Sequence, residues 1–291
     1  MAEVVPLDPI GAEVREVDLR EPVSGSDWMV VRRALFDHGV LVFRDQPVTD
    51  DQLAAFASRF GPLEDFNELY RMVNDAQAGD TYEDSRVIVM SNLDAKGQVL
   101  DSDNPVMVRQ RANERWHTDS SNRPNPSSVS VLTGRVVPPV GGDTFFASMR
   151  RGWEDLPPAH KEGLRGLVAV HDFAKSVERE GGMLDDELVD AIPPVAHPIV
   201  RTHPDAGFET LYVSNNAAEI EGWSEDEGRK LIERLLAWCT RPGHVYRHKW
   251  SEHDVVAWDN RSMLHRAEGF DGVRPRVIHR ATVKGNWPDG G

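Results

Sequence analysis

The sequence predicts a mainly β fold, a sandwich or barrel core with flanking helices, and three observations carry that reading. Short apolar runs of strand length recur along the 291 residues. Turn signals such as Pro138-Pro139, Gly141-Gly142, Asp205-Ala206-Gly207 and Asp271-Gly272 punctuate them. Clear helical periodicity is confined to a few segments, which suits helices covering a sheet core rather than a bundle.

The first helix is expected over 27–38, with apolar positions at helical spacing and Gly39 as its stop. A short, wholly apolar strand follows at 39–43. The second helix, 50–60, starts after Thr49 with Gln52 three positions on, the capping-box pattern. A third starts at Ser224 with Glu227 three later, and Leu231, Leu235, Leu236 and Trp238 form its buried stripe. Strands are expected at 86–91, 127–133, 143–147, 167–171, 199–203, 210–214, 244–250, 254–258 and 276–283. The polar stretches 62–85, 96–114 and 174–195 lack periodicity and are the expected lids. No composition shift divides the chain, so 1–291 reads as one domain.

Hydrophobic residues make up 40% and charged residues 28%, enough for a sizeable core. The net charge is −15 and the pI near 5.2. That acidity removes the basic footprint of nucleic-acid binding and disfavours anionic lipid surfaces. A single cysteine, Cys239, excludes an internal disulfide framework and any cysteine-built metal site, and favours a reducing, cytoplasmic setting. The first residues show no basic leader or apolar stretch, so no signal peptide is expected. No run approaches the ~18 apolar residues of a membrane span. Arginine outnumbers lysine 27 to 6, a bias that fits a GC-rich genome.

The sharpest local feature is Trp116-His117-Thr118-Asp119-Ser120. Residues two apart on an extended segment share a side, so His117 and Asp119 can present an imidazole nitrogen and a carboxylate oxygen to one point. Two histidines and one carboxylate with open positions form the non-haem Fe(II) arrangement. His265, just after an apolar strand and a polar turn, is the best second histidine. Arg276 and Arg280 follow it on one face of a strand. Buried guanidinium groups need anions, and their planar fork suits carboxylates, so the pair predicts two anionic groups in one pocket. A solvated face, or forks already filled by Asp and Glu, is the plainer alternative. His279 points the other way. His244, His248 and His253 lack ligand geometry, and the tryptophans 116, 238, 250 and 258 suit the core.

These residues resemble the iron- and 2-oxoglutarate-dependent dioxygenases of the taurine dioxygenase and phenoxyacetate-herbicide dioxygenase (TauD/TfdA) type. The stretches Leu41-Val-Phe-Arg-Asp-Gln46, Phe60-Gly-Pro-Leu63, Val137-Pro-Pro-Val-Gly-Gly-Asp-Thr144 and Trp258-Asp-Asn-Arg-Ser-Met-Leu-His265 agree in order, from near residue 11 to near 285. The resemblance implies a distorted double-stranded β-helix, a cupin-like jelly roll. It implies Fe(II) held by His117, Asp119 and His265. It also implies 2-oxoglutarate with its far carboxylate on Arg276 and Thr144, and a substrate anion on Arg280, with Asn113 as a further substrate contact. O₂ is the co-substrate, succinate and CO₂ the by-products, and ascorbate a supporting reductant. The presence of Asp119 favours hydroxylation or desaturation over halogenation. The implied substrate is a small carboxylate-bearing molecule: an aryloxyalkanoate, or a natural-product acid of the pentalenolactone type if the protein serves antibiotic biosynthesis. Members are commonly dimers or tetramers, so a homo-oligomer is possible. A metal-dependent hydrolase or lyase, and a non-catalytic jelly-roll binding protein, are the competing readings.

Overall fold

The computed structural model describes residues 1–65, 86–179, 189–190, 192–270 and 272–287. Two edge strands open it, β1 (Glu3–Pro6) and β2 (Ala12–Arg15). Helix α1 (Gly25–His38) begins two residues before the predicted start because the Ser24 side chain accepts from the Asp27 N–H. Gly39 ends it at φ 77°, where any Cβ would strike the Met263 sulfur. β3 (Val40–Phe43) follows, then α2 (Asp50–Ser58), whose Thr49–Gln52 capping box is formed as predicted.

Beyond these lie β4 (Val87–Ser91), α3 (Pro105–Gln110), a 3₁₀ turn at Arg111–Glu114, β5 (Val129–Val136) and β6 (Thr144–Ser148). Next come α4 (Met149–Glu154), α5 (Pro158–Leu164), β7 (Val168–His171), α6 (Phe173–Arg179), β8 (Val195–Pro198), β9 (Val200–Thr202), β10 (Glu209–Leu211) and β11 (Ala217–Ile220). The chain closes with α7 (Glu225–Cys239), β12 (Val245–His248), β13 (Val255–Asp259), β14 (Met263–Ala267) and β15 (Val277–Val283).

A seven-stranded sheet has the order β1-β2-β3-β13-β5-β15-β4, and a three-stranded sheet the order β12-β6-β14. Their facing sides interlock through Val40, Val42, Leu132, Val256, Trp258 and Ile278 from the large sheet and Phe146, Tyr246 and Met263 from the small one. The outer face of the large sheet is sealed by α1 and α2 through Leu35, Leu41, Phe43, Leu53 and Val255. The outer face of the small sheet packs on α4 and α7 through Ala147, Leu264, Trp153, Ile232 and Leu235. Residues 40–43 thus alternate between two buried layers, which is why that strand reads as a continuous apolar run. This is the open double-stranded β arrangement expected of a jelly roll.

Strands β1, β2, β8, β11 and β14 and the helices α3 to α6 stand outside the sequence expectation. Most are short, and α3 and α6 fall in two of the stretches read as lids. Of the three lid stretches, residues 66–85, 180–188 and 191 lie outside the described residues. Among the described residues no helix is long and apolar enough to cross a membrane.

Candidate metal centre and active-site pocket

The small sheet delivers the site's second histidine. β14 pairs antiparallel with β6, placing His265 opposite Phe146. On its other side His265 exchanges both backbone hydrogen bonds with His117, at 2.8 and 3.0 Å. That single bridge ties two segments far apart in sequence and sets their imidazole rings 4.1 Å apart between centres. Asp119, two residues on, completes the group. One ligand atom from each of His117, Asp119 and His265 lies within 4.8 Å of the others.

Hydrogen bonds aim these donors. His117 Nδ1 lies 2.7 Å from the Arg115 carbonyl, which can only accept, so Nδ1 carries the hydrogen and Nε2 keeps its lone pair. Asp119 Oδ2 accepts from Ser130 Oγ at 2.6 Å, leaving Oδ1 toward the histidines, 3.7 Å from His265 Nε2. Asn260 Nδ2 donates to Ser130 Oγ at 2.9 Å, and Asn260 Oδ1 accepts from Trp258 Nε1 and the Asp119 N–H. Because Trp258 can only donate, the amide orientation is determined, and Ser130 must spend its proton on Asp119.

Burial holds both histidines below their usual titration range, His265 well below it with help from His117. Burial would raise the Asp119 carboxyl, but the Arg280 charge and the two imidazoles outweigh it and keep it low. Neutral imidazoles and an ionised carboxylate are the protonation states a metal needs. Two nitrogens and one oxygen gathered at the edge of a cavity that both histidines line suit a divalent first-row ion.

That cavity measures about 460 Å³, and His117, His265, Thr144, Arg276, Arg280 and Asn113 all line it. The two arginines differ. Arg280 Nη1 donates to Asp119 Oδ1 at 3.2 Å. Arg276 donates through Nη2 to the Gly142 carbonyl at 3.1 Å, while its buried Nε has no acceptor among the described residues. Burial pushes this guanidinium down to about 10, with only Asp143 opposing. A bulge between Val277 and Ile278 interrupts the strand, yet both arginines still face the cavity, as the spacing predicts. Thr144 Oγ1 accepts from Trp250 Nε1 at 3.0 Å, so its own proton is free to donate. A buried cation without an acid and a hydroxyl poised to donate, both beside the three-donor cluster, fit a carboxylate co-substrate. Ser130 and Trp250 carried no signal in the sequence. Asn260 stood inside the Trp258-Asp-Asn-Arg stretch but had no assigned task. His279 bonds Asp50 at 2.7 Å, away from the cavity.

A sequence profile described as taurine catabolism dioxygenase TauD, TfdA family matches residues 3–282. The chain belongs to that family. This TauD/TfdA member is 37% identical over 280 residues to the alpha-ketoglutarate-dependent 2,4-dichlorophenoxyacetate dioxygenase of Cupriavidus pinatubonensis, covering 96% of each chain. It is 27% identical to pentalenolactone F synthase of Streptomyces arenae, covering 96% of this chain and 94% of the synthase. Its fold matches that of AAD-2, solved with Mn(II) and N-oxalylglycine, with a TM-score of 0.89, 36% identity and 99% of each chain covered. The protein is a 2-oxoglutarate-dependent dioxygenase, which sets the hydrolase, lyase and non-catalytic readings aside.

Proposed function

We propose that this TauD/TfdA dioxygenase oxidises a small aryloxyalkanoate at the carbon between its ether oxygen and its carboxylate, releasing a phenol once the hydroxylated carbon collapses. Fe(II), 2-oxoglutarate and O₂ are its cofactor and co-substrates. Together they supply oxidation of a C–H bond, with succinate and CO₂ released. His117, Asp119 and His265 hold the metal, and Arg276 and Thr144 hold the far carboxylate of 2-oxoglutarate. Arg280 takes the substrate carboxylate, with Asn113 as a further contact. The observation that carries this reading is the Arg276 guanidinium, whose buried Nε has no acceptor and which pairs with no acid among the described residues, facing the same cavity as His117 and His265.

The apolar wall of Met90, Val99, Leu100, Met107 and Phe270 suits an aryl group. The higher identity to the herbicide dioxygenase favours an aryloxy acid over a sesquiterpenoid lactone acid of the pentalenolactone type. Leu100, Met107 and Asn113 of segment 96–114 line the cavity, and we assign the segment as its cover. We place this single-domain protein in the cytoplasm, with a small organic acid as partner and no role at nucleic acid or membrane.

The test is succinate release from a panel of aryloxyalkanoates and lactone acids under Fe(II), ascorbate and O₂, with mass detection of products. Aryloxy acids should stimulate release and yield the phenol. Stimulation by lactone acids alone would move the protein to the natural-product branch, and turnover supported by zinc without 2-oxoglutarate would refute the proposal.

A further inference from the structure

Arg276 and a second arginine pair with no carboxylate among the described residues, although each buries a guanidinium nitrogen that finds no acceptor there. The other, Arg201 on β9, is 5% exposed and lies behind the metal-binding segment, outside the cavity lining. Its guanidinium carbon stacks 3.5 Å from the Trp287 ring centre and 4.7 Å from that of Tyr212. Its Nη1 is buried and nothing among the described residues accepts from it. Arg261 shows the contrast: equally buried, it gives its N–H groups to Asp259 and Asp205.

The surroundings of Arg201 repeat its condition. Trp287 Nε1, Tyr212 Oη, His171 Nε2 and His197 Nδ1 are all buried without a partner among the described residues. Their rings form one contiguous group, with centres 5.1 Å apart for His171–His197, 5.7 Å for His171–Tyr212, 5.4 Å for His197–Tyr212 and 6.1 Å for Tyr212–Trp287.

Neighbouring bonds decide which of these atoms donate. His197 Nε2 donates to the Ser121 carbonyl at 2.9 Å, so its Nδ1 is an acceptor. Asn216 donates to both Ser121 Oγ and Ser214 Oγ. The two hydroxyls lie 3.2 Å apart, and Ser214 Oγ is 3.4 Å from His171 Nδ1. Passing the serine protons toward His171 gives a consistent chain and leaves the hydrogen on His171 Nε2. The cluster then offers N–H donors from Arg201, Trp287 and His171, a hydroxyl from Tyr212, one acceptor, a full positive charge and, among the described residues, no acid paired with it.

We propose that this cluster binds a small monovalent anion of about chloride's size. Water can satisfy the hydrogen bonds and the Trp287 and Tyr212 faces attract the guanidinium, but neither supplies the counter-charge that an anion does. Burial pushes that guanidinium down to about 10, with only Tyr212 opposing, the same signature as Arg276. The bound ion locks the C-terminal Trp287 over β9 and braces Ser121, two residues beyond Asp119.

The full-length protein, loaded with Mn(II) and N-oxalylglycine to block halide at the metal centre, is melted in sodium chloride and in sodium gluconate at equal ionic strength. Chloride should raise Tm by about 3 °C in a saturable way. Arg201→Met should abolish the difference, and Tyr212→Phe, which keeps the charge and the shape, should weaken the apparent chloride affinity severalfold. Crystals of the unmutated protein soaked in bromide should show an anomalous peak within hydrogen-bond distance of Arg201 Nη1. Equal melting in the two salts, or water alone at that position, overturns the proposal even if Arg201→Met fails to fold.

Discussion

Arg280 Nη1 donates to Asp119 Oδ1 across 3.2 Å, so the arginine expected to meet a substrate anion also touches the carboxylate of the metal cluster. A substrate carboxylate bound to Arg280, as proposed, would therefore lie beside Asp119. Arg280→Ala should raise the KM for the primary substrate about tenfold or more, the loss of one charge-assisted contact. Decarboxylation of 2-oxoglutarate without that substrate should stay within about threefold of the parent by the same free-energy scale. Equal loss of both in steady-state assays would mean that Arg280 serves Asp119 alone.

Arg276 has the opposite surroundings, a carbonyl partner and no acid. Arg276→Ala should raise the 2-oxoglutarate requirement about ten- to a hundredfold, since a hydrogen bond to a charged group contributes about 1.5–3 kcal/mol. Gly142→Ala should act in the same direction, because φ is +71° there and a Cβ would stand 2.9 Å from Arg276 Nε. Anaerobic titration of the Fe(II) protein with 2-oxoglutarate, followed through its visible charge-transfer band, measures both. An unchanged midpoint in Arg276→Ala would remove the assignment.

Ser130 acts on the metal only through Asp119. With its hydroxyl gone, Oδ2 loses its 2.6 Å bond and Asn260 Nδ2 loses its acceptor. Ser130→Ala should weaken metal binding about ten- to a hundredfold, the usual effect of removing a partner of a ligand. Equilibrium titration with Fe(II) or Mn(II) in the absence of substrate reads this directly, and Ser130→Ala matching the parent would show that Asp119 is held by other contacts.

Asp259 predicts the acid limb of stability. It is buried between His203, at 2.8 Å, and Arg261, which grips both its oxygens at 2.7 and 2.8 Å. Burial would raise its carboxyl, but Arg261 and His203 together hold it below the ordinary 3.8. The folded pKa lies below the unfolded one, so this contribution is complete above about pH 5 and is lost as pH falls through 3.8 and lower. Asp259→Asn should destabilise by about 3 kcal/mol at pH 7, the low end for breaking a buried ion pair because Arg261 keeps Asp205, and by less at pH 3. Urea unfolding at the two pH values measures the gap, and a constant gap would assign the loss to packing.

The sequence by itself determined what local spacing encodes. Thr49 with Gln52 and Ser224 with Glu227 announced helix starts because a cap is satisfied within one turn. His117 with Asp119, and Arg276 with Arg280, announced shared faces because an extended chain alternates its sides. Their order along the chain carried the family and the nature of the chemistry.

Tertiary structure decided the partners. The His117–His265 bridge joins an irregular segment to β14, a strand too short and polar to read as one, and no periodicity spans the residues between. Ser130, Asn260 and Trp250 are ordinary strand and turn residues until folding brings Asp119 and Thr144 beside them. The same holds for Arg201, whose lack of an acid is visible only once β9 and the C-terminal segment have closed over it. Spacing reveals which way a side chain points, whereas the compensation of a buried charge depends on groups that only the folded chain brings together.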